Sequence, residues 1–199
     1  ETASPLLSNP IDPKLHKLGS PGIAYGNEVR IADAEGTVAA LETENEIQVR
    51  GLNLMQGYLK NPEATREAFT TDGWYRTGDL GKMDSDGYIF VTGRLKELII
   101  KGGENISPRE IDDVLYRHKR VMEAAAFPLP DDHYGQTVAA AIAPRPGENV
   151  PESELRKLCL DAVGKYRSPT HYFFLKELPK GPSGKIQRLK LTDQYSNSN

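Results

Sequence analysis

Trp74-Tyr75-Arg76-Thr77-Gly78-Asp79-Leu80 places an aromatic pair, a hydroxyl, a glycine and a carboxylate on what reads as one tight turn. A carboxylate held there can accept two hydrogen bonds from a vicinal diol, and charge-assisted bonds of that kind are shorter and stronger than neutral ones. Alone, Thr-Gly-Asp also reads as an ordinary turn with a capping Asp. The surroundings are strand-like. Asn27 to Ala32 and Glu46 to Arg50 alternate apolar and polar residues between turn signals such as Glu35-Gly36 and Asp86-Gly87, a pattern that predicts strands with one wet face. Tyr88 to Thr92 supplies another strand, and the short spacing predicts an antiparallel barrel or curled sheet. Between them Asn61 to Phe69, with a polar start and an early Pro, reads as one short helix.

After Gly93-Arg94-Leu95-Lys96-Glu97 the texture changes to alternating helices and strands, so the boundary falls at 94/95. Ser107-Pro108-Arg109-Glu110 reads as a capping box, and Ile111, Val114, Leu115 and His118 then share one face of the helix it opens. Val121 to Phe127 and Thr137 to Ala143 are strand candidates, although their alanines are poor strand formers. Leu155, Leu158, Cys159 and Ala162 repeat at helical spacing behind the acids of Pro151-Glu152-Ser153-Glu154. His171 to Leu178 is a third strand candidate. The Gly- and Pro-rich Pro179-Lys180-Gly181-Pro182-Ser183-Gly184 carries Lys185 outward, and a polar helix follows Arg188 before a disordered-looking Ser196 to Asn199.

The 199 residues suffice for one or two domains with a real core, and 38% hydrophobic with 27% charged residues is an ordinary globular balance. A net charge of −3, with bases interspersed among acids, gives no field for nucleic acid or an anionic membrane. Cys159 is the only cysteine, so no internal disulfide forms, and a reducing compartment with cytoplasmic location is the default expectation. No apolar run approaches the roughly 20 residues needed to cross a bilayer. The four histidines are scattered without metal spacing, no Gly-x-Ser-x-Gly elbow presents a nucleophile, and Lys101-Gly102-Gly103-Glu104-Asn105 lacks the Walker spacing. The last three residues, Asn197-Ser198-Asn199, are not a Ser-Lys-Leu peroxisomal tripeptide.

In this order, the Trp74 to Leu80, Gly93 to Glu97 and Pro179 to Arg188 motifs resemble the C-terminal third of the adenylate-forming enzymes: acyl-CoA and aryl-CoA synthetases, luciferases and peptide-synthetase adenylation domains. One departure is Gly181, which stands where the family often has Thr. The resemblance implies an α+β chain in which residues 1–94 form the C-terminal β-rich subdomain of a large adenylation domain. Residues 95–199 would then form a small mobile α+β domain, a three-stranded sheet with helices. It also implies a fragment, inactive alone, because nothing here matches the family's Ser/Thr/Gly-rich phosphate loop and Glu1-Thr2-Ala3 resembles the middle of a further motif.

The implied activity is that of an AMP-forming acid–CoA ligase, with ATP, Mg²⁺ and CoA as cofactors and a small-molecule carboxylic acid as substrate. Asp79 and Arg94 would bind the nucleotide. Lys96 would be the hinge, Lys101, Gly102 and Gly103 would line the path of CoA, Lys185 would serve adenylation, and Glu1 would help hold Mg²⁺. The residues alone leave blander alternatives open: Lys96 and Lys185 as solvated surface lysines, Gly102-Gly103 as a turn, and Glu1 as a solvated terminal charge. Two other functions also stay open, adenylation for a carrier-protein thiol and a non-catalytic module that binds a nucleotide or partner.

Overall fold

In the computed structural model, which describes residues 1–196, β3 (Glu28–Ala32), β4 (Asn45–Arg50), β5 (Tyr75–Met83) and β6 (Ile89–Arg94) form an antiparallel sheet in that order. Two-residue strands β1 (Leu7–Ser8) and β2 (Ile23–Ala24) pair beside it. Strands β3 and β6 are the ends of this order, so the sheet is open and the closed-barrel alternative is corrected. One face carries Ile31, Ile47, Val49, Tyr75 and Ile89, the apolar set that the alternation predicts. The opposite face is not wet as expected. Glu46 and Gln48 are buried on it because Arg30 and Arg76 reach across to bond them, and the guanidinium groups of Arg30 and Arg50 lie over the Trp74 ring at 4.5 and 4.6 Å. Helix α1 (Pro62–Glu67) starts where Asn61 accepts from the Ala64 amide, as its Asn-Pro start predicts.

β5 is irregular within the Trp74 to Leu80 stretch. Glu46 pairs with Leu80 and Gln48 with Arg76. Between those pairs β4 has Ile47 alone, whereas β5 has Thr77, Gly78 and Asp79, so these residues bulge from the ladder. Gly78 takes φ of 70°, a left-handed conformation that the absence of Cβ makes cheap.

A second unit, Lys96–Asn199, is built separately from Glu1–Leu95. Strands β7 (Ile99–Lys101) and β8 (Glu104–Ile106) form a hairpin. It is followed by α2 (Pro108–Leu115), β9 (Val121–Asp131), β10 (Gly135–Pro144), α3 (Glu152–Arg167), β11 (His171–Phe174) and α4 (Arg188–Ser196). The sheet order is β11-β10-β9, antiparallel between β9 and β10 and parallel between β10 and β11.

Alternate residues of β9 and β10 serve two cores. Ala124, Ala126, Val138 and Ala140 pack with Ile111 and Leu115 of α2 and Leu155 and Cys159 of α3. On the other side Ala125, Phe127, Ala139 and Ala141 pack with Leu178 and with Leu191 of α4. This explains the alanines. A sheet covered on both faces has no solvent side on which to alternate, and small side chains let flanking elements approach closely, so packing overrides strand propensity.

Several local expectations are corrected. Ser107 makes no side-chain cap bond to α2, and the Glu110 carboxylate meets Arg167 at 3.2 Å instead of closing a capping box. An ion pair with a guanidinium outcompetes the weaker reach back to a backbone amide. Ala162 is exposed and Val163, one position on, packs against the core instead, just before α3 kinks at Gly164. The third strand stops at Phe174, before Leu178. The final helix is less polar in effect than in composition, since Leu191 is buried and Tyr195 stacks on Phe173 with ring centroids 3.8 Å apart. Ser196 belongs to α4, and the rest of the expected disordered tail, Asn197–Asn199, lies outside the described residues. Among the described residues no helix is long and apolar enough to cross a membrane.

The two-sided packing makes a testable distinction. Ala140→Leu should lower the free energy of unfolding by about 1–3 kcal/mol through overpacking, whereas Ala162→Leu on the exposed side of α3 should change it by no more than about 0.5 kcal/mol. Urea denaturation of both variants checks this, and equal effects would contradict the packing described.

Candidate functional site

The bulge in β5 brings two of the sequence-identified residues together. Asp79 faces Arg94, the last residue of β6, across one register pair, and Arg94 Nε lies 2.8 Å from Asp79 Oδ1. Both side chains keep solvent access, 31% for Asp79 and 56% for Arg94, so an incoming polar ligand can reach either. The turn beneath them is fixed by short bonds. Thr77 Oγ1 donates to the Ile47 carbonyl at 2.7 Å and accepts from the Asp79 amide at 3.0 Å. The Gly78 amide donates to Glu46 Oε1 at 3.1 Å, and Arg76 Nε donates to Glu46 Oε2 at 3.0 Å. A carboxylate and a guanidinium on adjacent strands form a bifunctional polar edge, an acceptor for hydroxyls beside a planar donor for phosphate or ribose oxygens.

Glu1 lies in the same unit. Its carboxylate accepts from Tyr58 Oη at 3.1 Å, and its carbonyl accepts from the Met55 amide at 2.8 Å. A shallow hollow of about 410 Å³ is lined by Glu1, Ala3, Asn53, Met55 and Tyr58 among others. No group of three or more His, Cys, Asp or Glu side chains gathers to hold a metal among the described residues. Glu1 therefore offers a single carboxylate. That suits a Mg²⁺ ion held mainly by substrate phosphates and water, and does not suit an all-protein cage.

In the second unit Lys96 is exposed in the one-turn 3-10 helix Leu95–Glu97, whose last residue, Glu97, is held by Arg188 at 2.9 Å. Lys101 is placed differently from the sequence expectation. It is only 4% exposed, its ammonium donates to the Tyr166 carbonyl at 2.7 Å, and it lies 5.3 and 4.8 Å from the ring centroids of Tyr134 and Tyr166. Burial pulls its pKa below the ordinary lysine value, opposed by the nearby Asp131 carboxylate. Such a cation braces the loop from inside, leaving Gly102 and Gly103 as the surface that a ligand would meet. The loop is held further by the Gly102 amide on the Tyr134 carbonyl, 2.8 Å, and by Tyr166 Oη on the Lys101 carbonyl, 2.7 Å.

Lys185 is exposed just after a hairpin tip. The Gly181 amide donates to the Lys185 carbonyl and the Gly184 amide to the Gly181 carbonyl, each at 2.9 Å, and Lys180 pairs with Ile186 at the neck. Both sides of that neck are anchored. Lys180 Nζ reaches Glu123 at 2.5 Å. Arg188 donates to Glu97 at 2.9 Å, to the Ala126 carbonyl at 3.0 Å and to Asp112 at 2.5 Å.

The sequence reading missed these supports: Glu46 and Arg76 under Asp79, the two tyrosines around Lys101, and Asp112 with Glu97 around Arg188. Arg188 ends the Pro179 to Arg188 motif, and its anchoring role rests on partners distant in sequence. Glu46 carried no local signal, because its partners are 30 and 32 residues away.

Residues 110–185 match the family model described as the AMP-binding enzyme C-terminal domain. The chain is 51% identical over 96% of its length to a sulfoacetate–CoA ligase of Cupriavidus necator, of which it covers 38%. It is 41% identical over 92% of its length to an oxalate–CoA ligase of Arabidopsis thaliana, of which it covers 36%. Among solved structures, ATP-bound MatB from Rhodopseudomonas palustris superposes with a TM-score of 0.90 at 31% identity, over 96% of this chain and 38% of that one. The chain thus spans less than two fifths of the length of these relatives.

The loop geometry predicts an ordered pair of glycine effects. A Cβ at Gly102, where φ is 54°, would stand 2.7 Å from Tyr166 Oη, whereas at Gly103, where φ is 85°, it would meet open space. Gly103→Ala should cost about 1–2 kcal/mol for the left-handed backbone alone, and Gly102→Ala more. Thermal unfolding of the two variants decides the order, and a larger loss at Gly103 would contradict the close approach at Gly102.

Proposed function

Because the chain belongs to the adenylate-forming superfamily, matching its C-terminal portion, we propose that it serves an AMP-forming acid–CoA ligase. The observation that carries this reading is the Asp79–Arg94 pair, a diol acceptor beside a phosphate donor on two rigid strands. In the first half-reaction a substrate carboxylate oxygen attacks the α-phosphorus of ATP, the bond to the bridging oxygen breaks, and pyrophosphate leaves. Asp79 accepts from the ribose hydroxyls and Arg94 turns to the nucleotide's oxygens, so the α-phosphorus is held in line with the attacking acid. Lys185, delivered by its hairpin, places a compact cation where negative charge builds between carboxylate and α-phosphate. Mg²⁺ neutralises phosphate charge when bound, and Glu1 would supply one carboxylate to it.

In the second half-reaction the CoA thiolate attacks the acyl carbon and AMP leaves with the bonding electrons. Rotation at Lys96 exchanges the Lys185 hairpin for the Lys101 to Asn105 loop, whose Gly102 and Gly103 let the backbone approach the pantetheine arm. The CoA acceptor is favoured over a carrier-protein thiol because the relatives are named CoA ligases. Sulfoacetate and oxalate each carry a second acidic group, which makes short dianionic acids the first substrates to try.

Acid-dependent ATP–pyrophosphate exchange tests the reading, using the protein as its gene encodes it in full and a panel of short dianionic, long-chain and aromatic acids. Exchange with one class of acid is expected. Lys185→Ala should abolish most of that exchange, by about 10²-fold or more for a cation acting on transition-state charge, while slowing thioester formation from preformed acyl-adenylate far less. Equal loss in both half-reactions would remove the role given to Lys185. No exchange with any acid, in a folded protein that still binds ATP, would favour a non-catalytic nucleotide-binding module.

A further inference from the structure

Among the described residues of the first unit, Glu46 is the least exposed charged residue, at 3%. Its position on β4 places it directly under the bulge that presents Asp79. An ionised carboxylate is tolerated out of water only when its lone pairs are met. Here Oε1 accepts the Gly78 amide, and Oε2 accepts Arg76 Nε and, more loosely at 3.4 Å, the Gln48 side-chain amide. Gln48 is itself fixed, accepting from Arg30 Nε at 2.8 Å and donating to the Asp33 carbonyl at 3.0 Å. The brace is therefore grounded in β3 and β4, and its free end grips the Gly78 amide within the bulge.

A glycine in left-handed conformation can relax easily if its amide is released. Release of Gly78 would let the next residue, Asp79, drift from its place opposite Arg94. We propose that Glu46 is a positioning residue that sets the ribose-reading geometry of Asp79 through the Gly78 amide. Glu46 touches no ligand in this arrangement; its effect passes through the backbone of the bulge. The proposal rests on Asp79 binding ribose, as argued above, and adds the group that aims it.

The test compares ATP with 2′-deoxy-ATP in acid-dependent pyrophosphate exchange, again with the protein as its gene encodes it in full. Glu46→Gln keeps the shape but turns a donor towards either Gly78 N–H or Arg76 Nε. It should lower kcat/KM for ATP about tenfold, the typical scale for losing a charged hydrogen bond, and lower kcat/KM for 2′-deoxy-ATP much less. The Glu46→Gln loss should largely vanish in an Asp79→Asn background, as expected for residues acting as one unit. Arg76→Lys, at a side chain one-third exposed, loosens the same brace without leaving the buried carboxylate uncharged-for, and should reduce the ATP preference in the same direction. Equal losses on both nucleotides, or a Glu46→Gln loss that persists without Asp79, overturn the proposal and leave Glu46 a purely structural residue. If the unaltered protein shows no ATP preference, or Asp79→Asn retains it, the ribose-binding role of Asp79 itself falls, and this inference with it.

Discussion

Both units depend on one constraint: a charge removed from water must have its hydrogen-bonding capacity met by fixed partners. In the first unit the charge is Glu46, satisfied by Gly78, Arg76 and Gln48. In the second it is Arg188, whose guanidinium meets Glu97, the Ala126 carbonyl and Asp112. Removing one member of such a buried set costs about 3–5 kcal/mol, because the remaining charge is left stranded. The partners come from distant parts of each chain segment, so these sets fix tertiary geometry as well as local shape. Each also lies under a residue of the proposed site: Glu46 beneath the Asp79 bulge, Arg188 at the neck of the Lys185 hairpin.

The arrangement separates rigid from movable parts. Asp79 and Arg94 lie on neighbouring strands, where ladder bonds and the Glu46 brace limit their freedom. Lys96 and Lys185 lie in a short turn and just beyond a hairpin tip, and Gly102-Gly103 in a turn between two three-residue strands. In the proposed function, recognition of an unchanging nucleotide would suit the first kind of support, and exchange between two half-reactions the second. Lys101 joins the two: its buried ammonium, boxed by Tyr134 and Tyr166, steadies the root of a loop whose glycines remain at the surface.

The sequence made visible whatever depends on neighbours a few residues apart. The apolar face Ile31, Ile47 and Val49 followed from alternation, α1 from its Asn-Pro start, and α3 from the spacing of Leu155 and Cys159. What depended on long-range partners was hidden. Glu46 and Gln48 looked like the wet face of a strand because nothing nearby announces Arg30 and Arg76 overhead. Glu110 looked like half of a capping box because Arg167 lies 57 residues on. The alanines of β9 and β10 argued against strands until the helices covering both faces supplied a reason for small side chains. For the site, charged residues within compact motifs were legible as candidates, and the groups that aim them were not.

Those alanines have a dynamic consequence. Alanine has no side-chain rotamers, so the centre of the second unit's sheet, where Ala125 faces Ala141 and Ala126 faces Ala140, has few internal alternatives to occupy. A core made this way cannot absorb an applied displacement by repacking; it transmits the displacement whole, like a lever arm made of a stiff material. Shape change in this unit is therefore expected at the turns around its rim, where the lysines and glycines of the proposed mechanism lie.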